Sequence, residues 1–137
     1  MKKILSFAAA VAASALFAVS CGNSAKEAVD VNGEWAVVSI DGNAVETIMN
    51  EVVISFDGTN YSANTGVNMI NGTYSIENGA LTLSEGMMTR MAGDPAAMAQ
   101  ETNFVNAIQE PLCITLDGEN LQLIDADGNV KLVLEKK

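Results

Sequence analysis

The sequence predicts a mainly β fold: a small antiparallel sheet curled into a barrel-like shape, with one α-helix near residues 95–109. Three observations carry that prediction. Short apolar segments alternate with polar residues at period two, as a half-buried strand requires. Asx-Gly pairs punctuate them at Asn32-Gly33, Asp41-Gly42, Asp57-Gly58, Asn71-Gly72, Asn78-Gly79, Asp117-Gly118 and Asp127-Gly128, each a default hairpin turn. A single stretch breaks to helical spacing behind a strong cap.

In chain order, a leader comes first. Lys2 and Lys3 precede an apolar run over residues 4–17, and Ala18-Val19-Ser20-Cys21 closes it with small residues. This is the pattern of a signal peptide over 1–20 with a lipobox-like end. A lipobox usually carries Leu where this chain has Ala18, and an ordinary signal peptidase would cut the same bond. The cysteine at the cut favours acylation, which makes Cys21 the new N-terminus and the lipid attachment site. As a retained transmembrane helix the run falls short of the roughly 20 residues that span a bilayer. Residues 21–31 read as a polar tether, and 32–137 as one domain.

Within the domain, strands are expected near 34–40, 51–57, 59–64, 69–77, 79–85, 112–117, 120–125 and 129–135, with an extended piece at 87–92. Val52, Ile54 and Phe56 alternate with Glu51, Val53 and Ser55, and Val130, Leu132 and Leu134 with Lys131, Val133 and Glu135. The helix is expected from Asp94 as N-cap, Pro95 at the first turn and Ala97, Met98, Phe104, Val105 and Ile108 on one stripe, with Pro111 as the stop. About eight strands with one inserted helix suggest a lipocalin-like closure, the helix covering an end or a face. Trp35 is expected to pack in the core near a closed end.

Composition removes whole classes of function. The chain has 17 acidic and 7 basic residues, a formal charge of −10, which becomes more negative once Lys2 and Lys3 leave with the leader. Nucleic acid is therefore excluded as a partner, and anionic headgroups would push the domain outward on its tether. There is no histidine, so the usual general base, the histidine-dependent nucleophile pairs and the commonest zinc ligand are all missing. With Cys21 acylated, Cys113 would be the one remaining thiol, and no intrachain disulfide is expected.

Residues 66–74, Gly66-Val67-Asn68-Met69-Ile70-Asn71-Gly72-Thr73-Tyr74, followed by Leu81-Thr82-Leu83 and Thr89-Arg90-Met91-Ala92, resemble the META domain family, the HslJ-like group of envelope proteins. The resemblance runs over about 32–135, through Glu101 and Phe104. It implies a small antiparallel sheet with a helix and a role in envelope stress and drug tolerance, or in secretion and virulence, with no general catalytic mechanism. The family pattern has cysteine where this chain has Val67 and Gly93. If those positions adjoin and are bridged in other members, this chain has dropped the bridge and compensates by packing Val67.

Other candidate sites are weaker. Asp125-Ala126-Asp127-Gly128-Asn129 echoes a calcium loop, but Gly128 falls two places early and Lys136 stands where the closing glutamate belongs. It reads as a turn. Met87, Met88, Met91 and Met98 could hold Cu(I), yet filling beneath the helix explains them more simply. Arg90 is the only arginine and precedes a helix whose apolar stripe is interrupted by Glu101, so the two are expected to pair, the alternative being an exposed anion site at Arg90. The reading that results is a monomeric, non-catalytic binding or interaction module. It needs no cofactor or metal, and lipid anchors it in the cell envelope at the outer membrane, where it would meet another envelope protein. The alternatives are a lipocalin-like small-ligand carrier, its hollow lined by residues such as Trp35, Phe56, Tyr61 and Leu83, and an inhibitor of a secreted enzyme, with a protruding loop at 85–93.

Overall fold

The structure, a computed structural model, describes residues 29–137. The leader over 1–20, Cys21 and the tether up to residue 28 lie outside the described residues. β1 (Gly33–Ile40) turns through Asp41 and Gly42, both at positive φ, into the two-residue β2 (Asn43–Ala44). That is the backbone a two-residue hairpin turn demands. β2 was not expected, since two residues carry no periodicity. β3 (Val53–Phe56) and β4 (Asn60–Asn64) form the next hairpin, and β5 (Met69–Glu77) turns at Asn78-Gly79 into β6 (Ala80–Leu83). β7 (Met87–Met88) continues the line of β6 along β5. After α1 (Pro95–Ala107), β8 (Leu112–Asp117), β9 (Asn120–Ile124) and β10 (Val130–Lys136) form a meander.

Eight strands close into an antiparallel, lipocalin-like barrel in the order β1-β3-β4-β5-β6-β8-β9-β10, and β10 returns to β1 with Trp35 opposite Lys136 and Ile40 opposite Leu132. A bulge between Val37 and Ser39 in that last pairing supplies curvature. The seams are unequal. β6 and β8 pair only through Ala80 with Cys113 and Leu81 with Leu112, so the wall between β7 and β8 is made by the end of α1 instead of a ladder.

Period-two burial holds around the barrel: Ile54, Phe56, Tyr61, Ala63, Leu81, Leu83, Leu121, Leu123, Leu132 and Leu134 point inward. They form one cluster with Trp35 and with Phe104, Ala107 and Ile108 of the helix. The residues expected to line a hollow are thus packed side chains.

Asn71-Gly72 is not the turn the dipeptide suggested, because both residues lie inside β5. Glycine is needed there for closeness. A Cβ on Gly72 would stand 2.8 Å from Tyr61 Cε1 and 2.8 Å from Ser84 Oγ, and one on Gly86 would strike the Asn71 carbonyl oxygen. Asn32-Gly33 likewise opens β1 and joins no hairpin.

α1 begins as its sequence implies. The Asp94 carboxylate accepts from Ala96 N at 2.8 Å, and Pro95 occupies the first turn. Ala97, Glu101, Phe104 and Ala107 form the buried stripe. The helix ends at Ile108, its C-cap, whose N–H still donates to Phe104 O. The helix lies across one barrel end, where Gln100 exchanges two 3.0 Å hydrogen bonds with the backbone of Glu46. No helix among the described residues is long and apolar enough to cross a membrane.

At the opposite end the seal is aromatic. Trp35 Nε1 donates to Val31 O at 2.7 Å, Lys136 Nζ sits 4.7 Å above the Trp35 ring, and Phe56 meets Tyr74 edge to face at 4.9 Å.

Candidate functional site

Three polar side chains are buried among the described residues: Thr65, Asn68 and Glu101. They meet at the helix end. Thr65 Oγ1 donates to Glu101 Oε1 at 2.6 Å, and Asn68 Nδ2 donates to the same oxygen at 2.8 Å. Thr65 Oγ1 also accepts from Asn68 N at 2.9 Å, which fixes the β4–β5 turn. Asn68 Oδ1 accepts from Thr89 Oγ1 at 2.8 Å and from Met91 N at 2.6 Å, while Nδ2 also donates to Met91 O at 3.2 Å. Every buried side-chain nitrogen and oxygen among the described residues has a partner. One amide therefore ties helix, turn and the 89–91 segment together.

The expected pair between Arg90 and Glu101 does not form. Two neutral donors meet the Glu101 carboxylate, and the ion pairs among the described residues are Lys131 with Asp41 and Lys137 with Glu51. Burial demanded partners for Glu101, and two short polar side chains supplied them without the cost of burying a guanidinium. Thr65 and Asn68 were the residues to look for. Both lie in or beside the 66–74 motif, but nothing in its spacing says that they face the helix.

Arg90 is exposed and turns elsewhere. Its neighbours Thr89 and Met91 are both held by Asn68, so its backbone is fixed while its side chain lines a cleft of about 550 Å³. The cleft is the seam between β7 and β8. Tyr61, Ile70, Leu83, Met88, Val105 and Ile108 form an apolar floor, and Ser84, Glu85, Arg90 and Gln109 the polar rim. Tyr61 Oη donates to Ser84 O at 2.9 Å, and burial pushes its phenol above the usual range.

The remaining candidates resolve separately. Met87 is 82% exposed and Met91 55%, so neither fills the core as expected. The register is the reason: Met88 pairs with the inward Ile70 and Met87 with the outward Asn71. Asp125 accepts from Asp127 N and Asn129 N at 2.9 Å in a turn. Burial would raise its pKa, but these bonds, with Lys131, hold it below the ordinary value. Cys113, buried at the start of β8, is disulfide-bonded, against the expectation of a lone thiol. The chain's other cysteine is Cys21, which lies outside the described residues.

The family model of the META domain matches residues 27–137. The chain belongs to the META domain family. Two NMR structures resemble it in fold. One is 23% identical with a TM-score of 0.61, covering 77% of this chain and 89% of the other. The second, a protein from Burkholderia xenovorans, is 19% identical with a TM-score of 0.62, covering 82% and 94%. No curated protein matches the chain significantly. In this META domain the two positions that depart from the family pattern do adjoin. A Cβ on Gly93 would lie 3.0 Å from Val67 Cγ1, and Val67 is buried. That is the separation of a bridging sulfur from the opposite Cβ, so packing takes the place a bridge would fill.

Proposed function

We propose that this META domain is a non-catalytic binding module of the cell envelope, anchored at the outer membrane through lipid on Cys21 and acting in envelope stress tolerance by engaging another envelope component. The observation that carries the binding reading is the cleft at the β7–β8 seam, where an apolar floor and a guanidinium without an ion pair among the described residues share one mouth. An apolar concavity with a few convergent polar groups is the usual form of a binding site. The absence of histidine and a carboxylate set lying mostly in exposed turns weigh against acid–base catalysis.

The carrier alternative moves from the barrel interior, which the core fills, to this cleft. An inhibitor acting through 85–93 is less favoured, because Asn68 and β5 fasten residues 87–91 to the barrel.

The test is made on the intact chain expressed in a bacterial envelope. Membrane extraction and mass spectrometry should find acyl groups on Cys21, and Cys21→Ser should release the domain to the soluble fraction. A thioether-linked lipid and a disulfide compete for one sulfur, so non-reducing mass spectra decide between them. Crosslinking from the cleft rim should then capture an envelope component. An unacylated Cys21 would end the anchored reading, and no capture from Arg90 or Gln109 would end the binding one.

A further inference from the structure

We propose that the seam cleft takes a single-chain amphiphile with one negative charge, an alkyl carboxylate whose head meets Arg90 and whose chain lies along the apolar floor. The inference rests on the binding reading above and deepens it.

The cation comes first. Four basic side chains lie among the described residues, and three are engaged: Lys131 on Asp41, Lys137 on Glu51, and Lys136 on Asn32 O and the Trp35 ring. Arg90 has no ion pair among those residues, in a chain where acidic residues outnumber basic ones 17 to 7. A guanidinium left open in so acidic a protein is placed where a carboxylate ligand could use both of its parallel N–H donors.

The floor comes second. Tyr61, Ile70, Leu83, Met88, Val105 and Ile108 line the same cleft as Arg90 and give its mixed lining an apolar part. The cleft, at about 550 Å³, falls within the size range of small-molecule sites. It exists because β6 and β8 pair so briefly that side chains, not a ladder, wall the seam.

Charge count sets the class. Glu85 lies on the same rim as Arg90, with Ser84 and Gln109 neutral beside them. A head group that carries a second negative charge would have Glu85 nearby and no second cation on the rim. This favours a singly charged head over a phosphate monoester. The backbone under Arg90 is fixed, since Asn68 holds the residues on either side of it, and binding has only the side chain itself left to order.

The experiment uses the intact chain in detergent-free buffer at mildly alkaline pH, titrated with decanoate below its micellar concentration, with 1-decanol and decyl phosphate as the neutral and dianionic matches. Decanoate should saturate a single site, about 10-fold or more tighter than either comparison. Arg90→Gln should weaken decanoate about 10-fold and leave 1-decanol unchanged. Val105→Trp, which fills the cleft from a half-buried position, should abolish both with the melting temperature held. The proposal is overturned if decanoate gives no saturable binding to the folded protein, if Arg90→Gln leaves its affinity unchanged, or if 1-decanol or decyl phosphate matches it. Capture of an envelope component with no decanoate binding would leave the module reading standing and sink only the amphiphile.

Discussion

The two ends of the barrel are closed by different chemistry. At one end Trp35, Phe56 and Tyr74 seal with rings, and the polar tips of Trp35 and Tyr74 turn to backbone groups at Val31 and Gly58. At the other, a helix is held by Thr65, Asn68 and Glu101, every bond of which depends on the others' placement. An aromatic seal tolerates small shifts because dispersion and burial are non-directional. A buried polar lock tolerates none, since each lost partner strands another group. The open seam lies beside the lock, so the less forgiving end is the one that carries the candidate site.

The largest effect should come from the largest side chain that the helix contributes to the common core. Phe104 is fully buried, and Phe104→Ala should cost about 3–5 kcal/mol in urea unfolding. A loss under about 1 kcal/mol would mean that the helix rests on its polar lock alone. Next comes the lock. Asn68→Ala removes four hydrogen bonds and orphans Met91, so a loss of about 3 kcal/mol is expected. Glu101→Ala in that background should add little, because the two share partners. Additive losses would show that helix and turn are held independently.

The smallest effect belongs to the turn between β3 and β4, at the aromatic end. The Asp57 carboxylate accepts from Asn60 N and Thr59 N, and these bonds lower its pKa from 3.8. A carboxylate whose pKa is depressed on folding stabilises above its unfolded value, and that contribution is lost as pH falls through the folded one. Asp57 is fully exposed to solvent, so melting temperature should decline only modestly below about pH 4 on this account. Asp57→Ala should flatten that part of the profile. An unchanged acid limb would assign the decline to Asp125 at the helix end.

Much of the fold was legible. The strands at 69–77 and 112–117 and the start of the helix at Asp94-Pro95 follow from alternation and capping, which act between near neighbours. What escaped depends on contacts distant in sequence. Asn71-Gly72 reads as a turn until Gly86 and Tyr61 are seen pressed against it. Met87 and Met88 differ in exposure through a pairing register with β5 that their own sequence does not encode. Glu101 announces a need for partners, but Thr65 stands 36 residues away in the chain. Arg90 was singled out as the only arginine; its cleft became visible only once β6 and β8 were seen to part.

The closing ladder between β1 and β10 has a kinetic consequence. It joins residues about a hundred positions apart, as the bond from Lys136 to Asn32 across 104 residues shows. Such a contact is entropically expensive to reach and late to reward, so folding should wait on the last strand. Until β10 arrives, β1 and β9 each present an unsatisfied ladder edge. A chain emerging in order from its N-terminus would keep the first of these edges open for nearly its whole synthesis, and that edge is where self-association would begin.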